Sequence, residues 1–203
     1  MKENYQKILD RIIDTECSDG RRPSLFLHAC CAPCSSYVLE YLSQFFDITL
    51  FFYNPNISPK EENDTRLAEL IRLTEEMGFS ERIKVINGKY EPEKFYEMAK
   101  GLEELPEGGA RCAKCYALRL EESARLASEG GYDYYTTTLS ISPYKNAEWL
   151  NSIGKEKGEQ YGVKYLFSDF KKRNGYKRSC ELSETYKLYR QDYCGCEFSK
   201  NQK

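Results

Sequence analysis

Ser24-Leu-Phe-Leu-His-Ala29, followed at once by Cys30-Cys31-Ala-Pro-Cys34, is the stretch on which the reading of this chain turns. An apolar run this short, opening just after Pro23, reads as a buried strand. Ser35 to Phe45 then reads as a helix. Asp47 to Tyr53 (DITLFFY) reads as a second strand, closed by Asn54-Pro55-Asn56. A buried strand, a helix and another buried strand in succession predict a parallel βαβ unit. In open sheets of this kind ligands bind beyond the carboxyl ends of the strands. Cys30 and Cys31 follow the first strand directly and so fall where such folds place their chemistry.

The alternation continues along the chain. Before the first strand, Tyr5, Ile8, Leu9, Ile12 and Ile13 recur at helical spacing over residues 4–17. After the second strand, Lys60 to Met77 is a charged helix stopped by Gly78. Arg82 to Ile86 is the third strand candidate, and Pro92 to Lys100 a short helix. Pro106 to Ala110 reads as a flexible loop delivering Cys112. Cys115 to Glu129 is a helix ended by Gly130-Gly131, and Tyr132 to Thr138 a fourth strand. Helix Ala147 to Tyr161, strand Lys164 to Phe167 and helix Leu182 to Arg190 complete the pattern. The expected fold class is α/β, a mostly parallel sheet with helices on both faces.

A chain of 203 residues is long enough for its own core. We expect a single α/β domain over 1–203, with a basic and Cys-Gly-Cys segment occupying about 168–203. The start of the chain has no continuous apolar core of a signal peptide. No apolar run reaches the roughly 18 residues of a membrane span. The expected location is cytoplasmic, away from membranes. A net charge of −2 carries no global nucleic-acid signature, so an RNA contact requires a local patch. Tyrosine occurs 17 times, for packing at the rim or for stacking on bases.

Nine cysteines are too many for ordinary packing, and an odd total cannot pair completely. In a reducing compartment clustered thiols point to metal or redox chemistry. Seven fall in three groups: Cys30, Cys31 and Cys34; Cys112 and Cys115; Cys194 and Cys196. Thiolates suit zinc or iron–sulfur clusters. A structural zinc site normally uses paired Cys-x-x-Cys knuckles in domains that lack a core, and this chain has one knuckle and an adequate core. A 4Fe-4S cluster needs four cysteines. The remainder leaves Cys194 and Cys196 free for a second iron or other metal ion, or for a redox-active disulfide. Cys17 and Cys180 stand apart and read as packing residues. His28 is the only histidine, either a hydrogen-bond donor near the metal or a strand-end residue. Glu61, Asp14 and Asp64 offer carboxylates, but no spacing singles one out.

Between Lys171 and Arg190 seven basic residues face only Glu181 and Glu184, a local excess of five. Lys171, Lys172, Arg173, Tyr176, Lys177 and Arg178 form the candidate nucleic-acid segment, broken by the turn at Asn174-Gly175.

These motifs together resemble the cobalamin-independent epoxyqueuosine reductases, the QueH family. The likeness extends over nearly the whole chain. It includes His28-Ala-Cys-Cys-Ala-Pro-Cys-Ser35, Phe51-Phe-Tyr-Asn-Pro-Asn-Ile57, Arg111-Cys-x-x-Cys115 with Arg119, and Leu139-Ser-Ile-Ser-Pro-Tyr-Lys145. Asn174-Gly-Tyr-Lys-Arg-Ser179 and Tyr193-Cys-Gly-Cys196 complete it. The resemblance implies reduction of epoxyqueuosine at the tRNA wobble position to queuosine. It also implies a 4Fe-4S cluster and a fold akin to the adenine nucleotide alpha-hydrolase-like, PP-loop-like group. Deoxygenation takes two electrons and two protons, whereas a cluster passes electrons singly, so Cys194 and Cys196 are the expected second redox centre. Cys30 and Cys31 at the strand end, met by Cys112 and Cys115 across the sheet edge, are the expected cluster ligands. In an extended segment the adjacent Cys30 and Cys31 side chains would diverge; Cys34 is left without a role. No G-x-G-x-x-G fingerprint is present, so an external low-potential electron donor is expected. Two other readings compete. A PP-loop tRNA thiolation enzyme should carry glycines where Cys30 to Cys34 stands, for its amides to cradle pyrophosphate. A zinc-binding RNA module would hold no labile sulfide.

Overall fold

The apolar runs become the strands of one five-stranded sheet in the computed structural model, which describes residues 3–200. The strands are β1 (Ser24–Ala29), β2 (Asp47–Phe52), β3 (Lys84–Asn87), β4 (Tyr134–Thr137) and β5 (Lys164–Tyr165). Their order is β3-β2-β1-β4-β5 and every pairing is parallel. Leu25 lies between Ile48 and Tyr134, and His28 between Phe51 and Thr137. The expected termini of the chain, residues 1–2 and 201–203, lie outside the described residues.

Side-chain alternation assigns the two faces. Leu25, Leu27 and Ala29 of β1 and Ile48, Leu50 and Phe52 of β2 meet helices α1 (Tyr5–Glu16), α2 (Ala32–Leu42) and α3 (Lys60–Glu76). Phe26 and Phe51 point the other way, toward α5 (Ala110–Glu129) and α6 (Ala147–Tyr161). Both faces of β1 and β2 are therefore apolar, which is why these strands read as continuous runs. Phe26 stacks on Phe51 at 5.1 Å and tilts against Tyr132 at 5.0 Å. Truncating such a ring to alanine costs about 3–5 kcal/mol.

Among the boundaries that differ from the sequence expectation, three move a functional residue. Helix α2 begins at Ala32, not Ser35, so Cys34 belongs to its first turn. Pro33 tolerates this place because its missing N–H would have no helical partner there. Helix α5 begins at Ala110, which puts Cys112 on the helix instead of at the end of a loop. The last long helix, α7, runs Gly175–Thr185 and not Leu182 to Arg190. Its buried positions are Gly175, Ser179, Leu182 and Ser183, so it carries no apolar stripe to read. Small residues let it approach α2: a Cβ on Gly175 would stand 2.5 Å from the Tyr37 ring and 2.0 Å from the Phe170 carbonyl. A 3₁₀ turn, Thr138–Ile141, follows β4, and α4 (Pro92–Ala99) and α8 (Glu197–Lys200) complete the described elements. Among the described residues no helix is long and apolar enough to cross a membrane.

Candidate metal and redox site

The chain winds outward from β1 through β2 to β3, then crosses back to β4 on the other side of β1. Connections leave in opposite directions at the carboxyl ends of β1 and β4, and a crevice opens there. The crevice is a cleft of about 310 Å³, and cysteines from all three groups line it. Chain segments far apart in sequence are thus brought to one edge of the sheet.

The first group is the most compact. The sulfurs of Cys30, Cys31 and Cys34 all lie within 4.8 Å of one another, and Cys30 Sγ is 3.7 Å from Cys31 Sγ. An extended chain would have sent the adjacent pair apart. Here the strand has already ended: the chain bends at Cys30, and Cys31, itself extended, is the N-cap of α2. Cys34, to which the sequence assigned no role, joins them from the helix's first turn. The thiols of Cys31 and Cys34 donate toward Cys30 and hold it well below the ordinary thiol range, with Arg119 adding to the effect. Cys31 is pushed up to about 12 and Cys34 is also raised, because each donates its proton to Cys30. Three thiols with one favoured thiolate form a metal-ready set.

The second group enters on α5. Cys112 lies in the first turn, where its sulfur accepts the Gly108 N–H at 3.3 Å. Cys115 sits one turn further on, buried, and burial pushes its thiol up. The third group is a clamped loop. Arg66 of α3 donates to the carbonyls of Cys194 at 3.2 Å and Tyr193 at 3.3 Å. Ser58 N–H donates to the Gly195 carbonyl at 3.0 Å, and Tyr193 Oη–H to the Ser58 carbonyl at 2.9 Å. Gly195 has φ +101°, and a Cβ there would meet Ile57 Cγ1 at 2.7 Å, so only glycine suits this turn. Cys196 donates to Cys194, which is held well below its ordinary value by that bond, with Lys145 and Ser199 assisting. Cys196 is raised in turn.

Positive charge surrounds these thiols. Arg66, Arg111 and Arg119 are 2%, 1% and 4% exposed. Arg66 pairs with Glu62 at 2.7 Å, and the cleft-lining Lys145 pairs with Glu107 at 3.1 Å. Among the described residues neither Arg111 nor Arg119 has an ion pair with a carboxylate. Arg111 gives Nη1 to the carbonyls of Leu102, Glu103 and Leu105, while its Nε and Nη2 are buried without a hydrogen-bond partner. Burying an uncompensated charge costs on the order of several kcal/mol. The cleft is therefore built for negative charge, which thiolates and a thiolate-bound metal group supply. The residues present fit such a group.

His28 has the structural role. It is fully buried, with Nδ1 2.8 Å from Thr137 Oγ1 and Nε2 3.0 Å from the Tyr53 carbonyl. The carbonyl can only accept, so Nε2 carries the proton and Nδ1 accepts the Thr137 hydroxyl. Burial, aided by Arg119, lowers its pKa to about 4, and the ring stays neutral. It ties the carboxyl ends of β1, β2 and β4 together beneath the cysteines. We expect His28→Leu, which leaves two buried groups unpaired, to lower stability by about 2–4 kcal/mol. Urea unfolding of the two proteins checks this.

The basic segment is divided by tertiary contacts. Arg178 makes a bidentate pair with Glu40 of α2 at 2.6 and 2.9 Å, and Arg173 pairs with Asp10 of α1. Lys171 pairs with Asp169 at 2.9 Å and donates to the Ser140 carbonyl. Lys172, Tyr176 and Lys177 remain exposed. The local charge count missed Asp10 and Glu40 because they come from distant elements. Cys17 donates to the Phe45 carbonyl, a packing role. Asp14, Glu61 and Asp64 do not line the cleft. Sequence reasoning passed over Arg66 and gave Arg111, Arg119 and Lys145 no separate role. A signal for two of them existed: Arg111, Cys115 and Arg119 recur at i, i+4 and i+8 on one helix face.

Comparison with known proteins bears on the same residues. A family model described as "Epoxyqueuosine reductase QueH" matches residues 25–202. A relative of that name from Staphylococcus epidermidis is 47% identical over 98% of this chain and 85% of its own length. One from Streptococcus pyogenes serotype M1 is 42% identical, covering 98% of this chain and 78% of its own length. One from Thermotoga maritima is 36% identical, covering 87% and 90% respectively.

Proposed function

The chain belongs to the epoxyqueuosine reductase QueH family, and on that premise we propose that it reduces epoxyqueuosine in tRNA to queuosine. The observation that carries the reading is the meeting of three cysteine groups, under uncompensated arginines, in one cleft at the sheet's crossover edge. We assign a 4Fe-4S cluster to Cys30, Cys31, Cys112 and Cys115. When bound, the cluster supplies low-potential electrons one at a time. The substrate's epoxide gains two electrons and two protons, both C–O bonds break, an alkene forms and the oxygen leaves as water.

The protein's own groups serve that balance. Cys194 and Cys196 face each other as one thiol and one favoured thiolate, so oxidation to a disulfide releases two electrons and the single proton on Cys196, and the second proton that the epoxide oxygen needs comes from the Lys145 ammonium. The expected competing use of the pair, a second iron or other metal ion, would raise the metal count above one cluster. Burial opposes the charge on Lys145, but Cys194, Tyr116 and Glu107 outweigh it and hold Nζ protonated. Lys145 therefore places a proton in the cleft next to the dithiol, within the reach of a departing oxygen. Among the described residues, Asn56 Oδ1 and Gln191 Oε1 are buried acceptors without partners in the lining of the same cleft, suited to substrate hydroxyls. No nicotinamide or flavin fingerprint occurs in the sequence, so an external low-potential carrier restores the thiols. A tRNA substrate places the activity in the cytoplasm.

Anaerobic reconstitution tests this reading. The expected protein binds about four iron and four sulfide per chain and converts epoxyqueuosine to queuosine in tRNA under a low-potential reductant. Zinc alone, without labile sulfide, would overturn it.

For the RNA contact, the rings of Tyr144 and Tyr176 at the cleft mouth are 77% and 38% exposed, as base-stacking platforms must be. Lys172 and Lys177 are the basic residues of the adjacent segment that no carboxylate engages. We expect Lys172→Glu with Lys177→Glu to weaken tRNA binding and reduce the salt slope by about one per lost phosphate contact. The cluster spectrum should not change. Unaltered affinity across a salt series would assign the segment to solvent.

A further inference from the structure

One chain of hydrogen bonds crosses the cleft floor from α5 to β1. Arg119 Nε donates to the Cys115 carbonyl at 3.4 Å, and its Nη1 donates to Asn54 Oδ1 at 3.2 Å. Asn54 Nδ2 continues the chain to the carbonyl of Ala29, the residue before Cys30, at 2.9 Å. Asn54 is itself held, since Asn63 Nδ2 reaches its carbonyl at 3.4 Å. The two segments that carry the assigned cluster ligands are thereby joined through a single guanidinium.

Among the described residues no carboxylate pairs with that guanidinium. Arg66 and Lys145 are offset by Glu62 and Glu107, whereas Arg119 meets only a carbonyl, an amide oxygen and the ring of Tyr116 at 6.0 Å. It is 4% exposed, so water screens it little. It lines the cleft together with Cys30, Cys115 and Cys194, one residue from each cysteine group.

We propose that Arg119 is a positioning residue that braces the Cys30 and Cys115 segments against each other and raises the cluster's reduction potential with one fixed positive charge. The inference rests on the cluster assignment above. Reducing a cluster adds negative charge to a poorly solvated site, and a permanent cation beside it favours the reduced form. Guanidinium suits the task because it does not lose its proton in proteins.

The test is a potentiometric titration of the anaerobically reconstituted holoprotein, followed by the electron paramagnetic resonance signal of the reduced cluster. Arg119→Gln retains a donor without the charge. Its midpoint should fall so that the reduced-to-oxidised ratio at a given potential drops at least tenfold, about 59 mV for a one-electron couple. Arg119→Lys retains the charge without the planar fork, and its ratio should stay within about threefold of the parent, roughly half of that shift on the same scale. An unchanged midpoint in Arg119→Gln overturns the proposal. So does an equal fall in Arg119→Lys, since charge would then not be the cause. Should Arg119→Gln fail to load a cluster, Asn54→Asp carries the test. A carboxylate there neutralises Arg119 in place, so a lowered midpoint supports the charge role and an unchanged one overturns it. Absence of labile sulfide in the parent protein would instead be a failure of the cluster assignment, visible before any variant is made.

Discussion

Alanine at Cys112 or Cys115 is expected to abolish the broad visible absorption of the reconstituted protein and to bring iron and sulfide close to zero. Both thiols come from the start of α5, one helical turn apart and on the same cleft. Losing one of four thiolate ligands also leaves the neighbouring buried arginines with less negative charge to meet, which adds to the loss of affinity. Cys17→Ala, whose thiol meets only the Phe45 carbonyl, should leave the spectrum unchanged. Metal and sulfide analysis with an absorption spectrum decides the matter. Retention of the cluster in the Cys115 variant, with its loss in Cys194 or Cys196 variants, would reverse the assignment and leave the reductase reading standing.

Serine at Cys194 or Cys196 should do the opposite. The cluster should remain, and conversion of epoxyqueuosine to queuosine should fall to background, because the second store of electrons is gone. Gly195→Ala probes the same element without touching a thiol. The new Cβ would stand 2.7 Å from Ile57 Cγ1 at a backbone φ of +101°. Such strain costs on the order of 1–3 kcal/mol, and the loop can relieve it only by shifting the Cys-Gly-Cys turn off its Arg66 clamp. We expect this variant to retain iron and sulfide and to lose most of its turnover. Single-turnover assay on epoxyqueuosine-containing tRNA, beside metal analysis of the same preparation, measures both. Full activity in the serine variants would mean that the dithiol is not in the electron path.

These two expectations separate groups that the sequence alone presents as similar cysteine pairs. What distinguishes them is charge and anchoring. Cys112 and Cys115 are fixed on a helix beside Arg119. Cys194 and Cys196 flank a glycine turn whose backbone carbonyls accept from the Arg66 guanidinium and the Ser58 N–H. A ligand needs a fixed direction, whereas a dithiol needs its two sulfurs close to each other and able to exchange a bond.

By itself the sequence determined the class of the fold, because β1 and β2 are buried on both faces and so read as unbroken apolar runs between helical patterns. It also marked the segment after β1 as a place where a metal could be held, since three thiols stand within five residues of the strand's end. The same motifs carried the resemblance to a family that the comparisons then showed. Only the tertiary structure decided how those residues are used. The strand order β3-β2-β1-β4-β5 put the crevice between β1 and β4. The bend at Cys30 and the start of α2 right after Cys31 brought Cys30, Cys31 and Cys34 together, where a continuing strand would have parted them. Folding set Glu40 against Arg178 and Asp10 against Arg173, ion pairs from distant elements that a local count of charges leaves out. Arg66, Arg111 and Arg119 became the buried counter-charges of the site. Periodicity and composition are properties of neighbouring residues, which local sequence displays. Convergence of thiols, neutralisation of charge and the helical start at Gly175 depend on which distant segments meet, and the packed fold alone decides that.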